Sequence, residues 1–334
     1  MAAGRIVVTG ATGFIGRHVV ERLARDGRVL TLTVRDPQVC PDVWRQNANI
    51  AIIAVPDLTR ADALMPALDD ATTVVHLAGL AHMAQADAAD AEAQFSRANV
   101  ETTRALADAA SQAGVSAFVN LSSLAAITSN ATDATIDDRS EAPPDTAYGR
   151  SKRAAEAHVA DMAAAGAFAV SLRPPLVVGP EAGGNWALLQ RLAASGMPLP
   201  FASIANRRSF VGVGTLCEAI SALISQKPDP RLSGSYCIAD EETLSLPDVV
   251  GELRRGMGMS PRMFGCPPAV FAALGQLTGR RRQFAGLTGN LRVDASRFLS
   301  TFGFKPATPI RDAIRESGAG YLAARRKTPS SASA

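Results

Sequence analysis

The chain has 334 residues, 47% of them hydrophobic and 19% charged, and a formal net charge of only +3. That is material for one large α/β domain plus a smaller lobe. The densest basic clusters, Arg280-Arg281-Arg282 and Arg325-Arg326-Lys327, are not interleaved with aromatics, which argues against nucleic-acid binding. The four cysteines, Cys40, Cys217, Cys237 and Cys266, lie far apart with no Cys/His ligand spacing. They read as reduced structural thiols of a cytoplasmic protein, and no metal site is expected. No apolar run reaches the ~18 residues of a membrane helix. The chain enters a strand at once, so no signal peptide is expected either.

Arg5 to Thr9 is a short apolar strand running into Gly10-Ala11-Thr12-Gly13-Phe14-Ile15-Gly16. Helical periodicity follows at Ile15, Val19, Val20, Leu23 and Ala24. Strand, glycine loop and helix in this order are the context a dinucleotide fingerprint requires. Gly10 serves the turn, Gly13 the approach to the pyrophosphate and Gly16 the packing of helix on strand. Thr12, Phe14 and Ile15 complete the loop and the first helical turn, whose free N–H groups suit phosphate.

The second strand, Arg28 to Val34, ends in Arg35-Asp36-Pro37. An Arg at this tip accommodates a ribose 2′-phosphate, whereas an acidic residue accepts from a 2′-hydroxyl. Arg35 comes first, so NADP(H) is favoured, and Asp36 keeps NAD(H) open. The third strand, Ile50 to Ala54, leads to Pro56-Asp57-Leu58. Asp57 is placed either to meet the adenine amine, with Leu58 beside it, or to cap a helix starting at Thr59. The fourth strand, Thr73 to Leu77, closes at Ala78-Gly79, where small residues let backbone lie against a cofactor. His82 follows, beyond the carboxyl end of that strand, either as a substrate contact or as a structural histidine.

Asp90 to Ala113 reads as a long Ala-rich helix containing Asn99, a further cofactor-side candidate. The fifth strand, Ala117 to Leu121, delivers Ser122-Ser123. A polar loop, Asn130 to Thr146, precedes a helix that carries Tyr148 and Lys152 and runs to about Ala165. Residues four apart share a helix face. An ammonium beside a phenol favours the phenolate, so Lys152 is expected to lower the Tyr148 pKa and prepare it for proton transfer. Taken alone, the pair reads as a surface Tyr and Lys. The glycine loop and the serine pair are what turn it into a site. The sixth strand, Ala167 to Arg173, ends in Pro174-Pro175. This β-α alternation predicts a Rossmann-type, doubly wound parallel sheet.

After Gly179-Pro180 the pattern changes. A helix from Trp186 to Ala194, an extended Pro198-Leu199-Pro200-Phe201, a strand over Asn206–Val211, and helices near Thr215–Ile224, Leu246–Met257 and Pro268–Leu277 make a smaller α/β lobe. The expected division is 1–178 for the dinucleotide domain, with a later return strand near 209–225, and 179–325 for a mainly substrate-binding lobe. From 326 the tail is expected to be disordered. The segment Ala269–Leu277 with Arg280–Arg282 is read as an amphipathic wall of that lobe, with a membrane-surface helix as the other reading.

The combination Gly10-x-x-Gly13-x-x-Gly16, Ser122-Ser123, Tyr148-x-x-x-Lys152 and Arg173-Pro174-Pro175-Leu176-Val177-Val178-Gly179-Pro180 resembles the extended short-chain dehydrogenase/reductases over nearly the whole chain. Within them it resembles the nucleotide-sugar group containing UDP-glucose 4-epimerase. Phe118–Ser123, Leu199-Pro200-Phe201 and Arg207–Val211 look nearest to a bacterial branch with 4-keto-reductases that make UDP-N-acetylquinovosamine for surface polysaccharide, lipopolysaccharide included. The resemblance implies that Tyr148 is the general acid/base, that Lys152 holds the nicotinamide ribose, and that Ser123 hydrogen-bonds the substrate oxygen. It implies that Pro175 and Val177 lie by the nicotinamide amide, that Asn185 and Arg208 grip a substrate diphosphate, and that Phe201 packs on the uracil. The family's second diphosphate-binding arginine is not evident in this chain, and Arg281 or Arg282 could serve in its place. It further implies a UDP-sugar as the small-molecule partner and a homodimer built through the helices at Asp90–Ala113 and Ala147–Ala165.

Two departures bear on the chemistry. Typical epimerases carry an acidic residue where this chain has Arg35, and an Asn where it has Leu176. The leading expectation is therefore reduction of the C4 ketone of a UDP-4-keto-6-deoxy-hexosamine. The alternative is a UDP-GlcNAc or UDP-glucose 4-epimerase with tightly held NAD. A non-catalytic dinucleotide sensor and a reductase of flavonoid-like or steroid ketones are more distant readings.

Overall fold

The computed structural model describes residues 4–81, 88–128, 131–267, 269–271, 276 and 286–327. The order begins β1 (Arg5–Thr9), α1 (Phe14–Arg25), β2 (Leu30–Val34), α2 (Asp42–Arg45), β3 (Ile50–Ala54), α3 (Ala61–Leu64) and β4 (Ala71–His76). It continues with α4 (Ala88–Phe95), a π-helical stretch (Ser96–Glu101), α5 (Thr102–Gln112), β5 (Ala117–Leu121), β6 (Thr135–Ile136), α6 (Ala147–Ala164), β7 (Phe168–Arg173) and β8 (Leu176–Val178). The rest is α7 (Gly184–Ala194), β9 (Phe210–Gly212), α8 (Val213–Ser225), β10 (Gly234–Cys237), α9 (Leu246–Gly256), β11 (Arg292–Val293), α10 (Ser296–Phe302) and α11 (Ile310–Lys327).

Among the described residues the main sheet has seven strands in the order β10-β7-β5-β4-β1-β2-β3, all parallel. This is the doubly wound, Rossmann-like architecture. The winding reverses between β1 and β4, which opens a crevice at their carboxyl ends. Strands covered on both faces need apolar residues at nearly every position, and β1, β2, β4 and β7 are buried almost throughout. One face packs on α1, α8 and the aromatic residues of α10, the other on α3, α5 and α6. A third apolar core, including Trp186, Phe210, Leu253 and Ile314, belongs to the lobe formed by α7, α9 and α11.

The strand that returns to the main sheet is not near 209–225. It is β10, which pairs with β7. Phe210–Gly212 pairs instead with Leu176–Val178 in a separate two-stranded sheet, and Val213–Ser225 is a helix against α1. The edge strand Gly-Ser-Tyr-Cys is short and half polar, so it carries no alternation signal. Strand β2 begins at Leu30 rather than Arg28. The polar loop before Tyr148 holds the two-residue β6, paired with β11 more than a hundred residues later. The expected helix at 90–113 is continuous but changes to π-helical geometry around Asn99. No helix among the described residues is long and apolar enough to cross a membrane. His82, Arg280 to Arg282, most of Pro268–Leu277 and the tail from Thr328 lie outside the described residues.

Candidate active site

The crevice is built first by backbone. Gly10 has φ +71°, and a Cβ there would stand 2.5 Å from the amide nitrogen of Ala78 and 2.6 Å from the carbonyl carbon of Leu77. Only glycine lets β1 turn while the β4 exit comes this close. Gly13 is the N-cap of α1, and that helix start has neither a side-chain cap nor an acidic residue in its first turn. Its leading N–H groups are thus available to an anion. Phe14 and Ile15 pack back onto the main core, and the Thr12 carbonyl accepts from Arg17 Nε at 3.0 Å. A cradle that a Cβ would fill, beside a helix start free of negative charge, fits the pyrophosphate of a dinucleotide.

At the tip of β2, Arg35 is exposed and its side chain makes no hydrogen bond or ion pair among the described residues, whereas the Asp36 carboxylate accepts from the Gln38 amide at 2.8 Å and caps the following turn. Asp57 is similarly engaged. One carboxylate oxygen accepts from the Thr59 amide (3.0 Å) and hydroxyl (2.7 Å), and the other pairs with Arg97 at 2.9 Å. These bonds hold its carboxyl below the usual range. The capped feature is a turn, since α3 starts only at Ala61. Leu58 packs on the α3/α5 core.

The candidate chemical centre lies where β5 meets α6. Thr146 caps α6 by accepting from the Gly149 amide at 3.0 Å. Tyr148, half-buried, follows in the first turn, with its ring 5.7 Å from that of Phe95. A Cβ on Gly149 would collide with the Ala125 carbonyl, so the glycine lets α6 press onto the short turn Leu124–Ala126 that Ser123 caps. That approach sets the Ser123 hydroxyl beside the Tyr148 phenol, where it favours the phenolate. Pro174 ties down the same turn by accepting from the Leu124 amide at 2.9 Å, just before buried Pro175 and half-buried Val177.

Lys152 does not act as its spacing suggests. Its ammonium donates to the Leu121 carbonyl at 2.9 Å, and burial pulls its pKa down to about 8, with Glu156 opposing. Burial pushes the Tyr148 phenol up, opposed by Ser123, and Lys152 does not enter. The expected depression of the Tyr pKa by Lys152 is therefore corrected for the protein alone. Same-face spacing puts both residues on one side of the helix, but the long lysine side chain follows the nearest unsatisfied carbonyl.

Asn99 is almost fully buried and clamps the β4 exit: its amide accepts from Leu80 N (2.8 Å) and donates to Leu80 O (3.0 Å) and Ser151 Oγ (2.8 Å). A Cβ on Gly79 would lie 2.8 Å from Asn99 Oδ1 and 3.2 Å from Lys152 Nζ, so Gly79, Asn99 and Lys152 converge. A π-helical turn at such a junction is a recurrent mark of functional sites.

A family profile described as the NAD dependent epimerase/dehydratase family matches residues 6–239. The chain belongs to this family. Among curated relatives, a UDP-glucose 4-epimerase of Vibrio cholerae is 28% identical over 331 residues, covering 96% of this chain and 97% of its own. A ceramide reductase of Caulobacter vibrioides is 32% identical over 276 residues, 81% of this chain and 77% of its own. Among solved structures, MoeE5 in complex with UDP-glucuronic acid and NAD superposes with a TM-score of 0.76 at 26% identity, covering 97% of this chain and all of that one. The strand order and the glycine cradle agree with that membership.

The substrate-side candidates occupy separate segments of the lobe. Asn185 is exposed on the first turn of α7, and the Phe201 ring lies 6.0 Å from that of Phe271, tilted by 41°. Arg208 is half-buried, donates to the Gly289 carbonyl at 3.0 Å, and is pushed down to about 10 by burial. Beside the serine–tyrosine pair the structure adds a cluster that motif reading missed. Ser122 donates to Glu156 at 2.5 Å, and Arg173 pairs with both oxygens of Glu156 at 2.9 and 2.6 Å. Glu156 sits four residues after Lys152 on the same face, and that spacing was the available signal.

Proposed function

We propose that this chain uses NADPH to reduce the C4 ketone of a UDP-4-keto-6-deoxy-hexosamine, of the kind that yields UDP-N-acetylquinovosamine for surface polysaccharide. The single observation carrying this reading is the tip of β2: Arg35 stands exposed with no partner among the described residues while Asp36 is spent on its own turn. A guanidinium free to meet a 2′-phosphate, next to a carboxylate occupied elsewhere, suits an exchangeable NADPH better than a resident NAD. The relative named as a reductase supports the same direction.

The bound nicotinamide would supply the hydride. The rest falls to the chain. Ser123 and Tyr148 hold the ketone oxygen, and Tyr148 gives it a proton as C4 becomes an alcohol. A phenol whose pKa is raised by burial is protonated at neutral pH, as a donor must be. Lys152 and Asn99 fix the ribose side of the crevice, with Leu77, Ala78, Gly79, Pro175 and Val177 as its walls. Asn185, Arg208 and Phe201 would take the diphosphate and uracil, and His82 would reach the sugar. A homodimer through the 90–113 and 147–165 helices and a cytoplasmic location belong to the same reading.

The second reading is 4-epimerisation with tightly held NAD. It is favoured by the Vibrio cholerae relative and by the NAD in the MoeE5 complex. Incubating the pure protein with NADPH and UDP-4-keto-6-deoxy-GlcNAc should consume NADPH. No consumption, with NAD identified by mass in the purified protein and UDP-sugar interconversion without reductant, would replace the first reading by the second.

A further inference from the structure

One buried histidine has no part in the chemistry above. His76 ends β4, is 1% exposed, and sits beside Thr9 of β1 in the sheet register. Its Nδ1 is 2.7 Å from Thr9 Oγ1, and its Nε2 is 3.0 Å from Thr103 Oγ1 on α5. The proton positions follow from hydroxyl counting, because a threonine has one hydrogen to give. Thr103 gives its hydrogen to the Asn99 carbonyl at 2.6 Å, so toward His76 it can only accept. Nε2 therefore carries the proton, and Nδ1 accepts from the Thr9 hydroxyl. Thr9 Oγ1 in turn accepts from the Ala78 amide at 3.3 Å. Burial and the Lys152 charge hold the ring neutral, with a pKa near 3, so this tautomer persists across working pH.

The two arms of the ring end in different parts of the site. The Nδ1 arm reaches Ala78, the residue a side chain on Gly10 would strike, and so sets the width of the crevice between β1 and β4. The Nε2 arm reaches Asn99, whose side chain binds Ser151 Oγ, and Ser151 donates to the Tyr148 carbonyl at 2.8 Å. Hydrogen bonds run from the Ala78 amide at the β4 exit through Thr9, His76 and Thr103 to the Asn99 main-chain carbonyl, and the Asn99 side chain carries the connection on through Ser151 to the helix bearing Tyr148 and Lys152. Packing alone would be met by a leucine or phenylalanine at this position. A polar ring satisfied at both nitrogens carries directional information that an apolar side chain lacks.

We propose that His76 is a positioning residue that registers the dinucleotide crevice against the Tyr148 helix, with one ring nitrogen for each. This rests on the dinucleotide reading of the site but not on the identity of the sugar.

The two arms can be cut separately. His76→Asn places an amide oxygen near the Nδ1 position, which keeps the Thr9 arm and releases Thr103. His76→Gln places an amide N–H near the Nε2 position, which keeps the Thr103 arm and releases Thr9. NADPH and NAD affinities are measured by calorimetry, amide exchange by mass spectrometry, and thermal midpoints are recorded for both variants. His76→Gln should weaken dinucleotide binding about 5- to 10-fold, the worth of one hydrogen bond, and speed exchange at 77–80. His76→Asn should leave that affinity within about 2-fold and speed exchange over 96–103 and 147–152 instead, with kcat falling while the KM for NADPH holds. Equal changes in the same segments for both variants, or none in either, would overturn the proposal and leave His76 a spacer. Binding and exchange need no sugar, so a wild-type protein that binds dinucleotide yet fails to reduce the keto-sugar would remove the substrate reading and leave this test standing.

Discussion

The half of the molecule around the seven-stranded sheet and the lobe around α7, α9 and α11 hold their parts in place by different means. In the first, restraint is spread over strand ladders and close backbone approaches, such as Gly10 on Ala78 and Gly149 on Ala125. In the lobe, beside the apolar core, a few buried ions join the elements. Arg254 is fully buried and gives its guanidinium to the carbonyls of Ala193 (3.1 Å), Arg262 (2.7 Å) and Met197 (2.6 Å), tying the end of α7 to the extended segment before Phe201. Glu252 gathers Arg255 (2.6 Å), Arg311 (3.0 Å) and Arg315 (2.6 Å), joining α9 to α11. Distributed restraint tolerates the loss of one member, whereas concentrated restraint does not. Single substitutions near the sheet should therefore change chemistry more than stability, and single substitutions at the lobe's ions should do the reverse.

The sharpest break would come at Tyr148. Tyr148→Phe should lower kcat about 10²- to 10⁴-fold, the usual worth of a general acid. The ring contact with Phe95 survives, so the thermal midpoint should hold. Loss of the fold together with activity would contradict the contrast. Next is Gly149→Ala. The added Cβ forces α6 off the Leu124–Ala126 turn and parts Tyr148 from Ser123, and steady-state kinetics should register a loss of about 10²-fold in kcat. Dinucleotide affinity, measured by calorimetry, should fall with it, since the same helix carries Lys152 and Ser151.

In the lobe, Arg254→Met should act on stability first. It leaves buried carbonyls without donors, at roughly 1–3 kcal/mol each, and denaturant unfolding should report the loss. KM for the sugar nucleotide should rise with it while dinucleotide affinity holds. An equal effect on both ligands would show that the two regions are coupled more tightly than their bonding suggests. The smallest effect concerns pH. Lys152, with a pKa of about 8, is charged below that value and neutral above it. Activity that needs its charge is full on the acid side and declines as pH rises through about 8. Glu156 supports that charge, so Glu156→Gln should move the alkaline limb of the kcat profile to lower pH. A limb that stays in place would detach Lys152 from it.

Much of the nucleotide half was legible before any coordinates. The glycine spacing, the apolar strands and the Tyr148–Lys152 interval are patterns within a few residues of chain, and each has a local physical cause. The lobe was harder to read. The segment that leaves it to rejoin the main sheet, edge strand β10, is short and half polar, the small sheets pair residues far apart, and the region near 209–225 is a strand of another sheet followed by a helix. Arg254 and Glu252 look like ordinary charged helix positions until the fold removes them from water. The direction of Lys152 has a related cause: helix spacing fixes a face, while the flexible side chain reaches across to the Leu121 carbonyl.

By itself, then, the chain's order of residues determined the doubly wound sheet, the crevice at the ends of β1 and β4, and the placing of Tyr148 at the start of a helix. These follow from turn sterics, burial of strands on both faces and helical periodicity. Only the tertiary structure decided that Glu156 joins Ser122 and Arg173, and that His76 stands between Thr9 and Thr103, 67 and 27 residues away. Such contacts depend on the register between strands and the angle of a helix on the sheet, and hydrogen bonds over a few ångströms take their partners from that geometry rather than from distance along the chain.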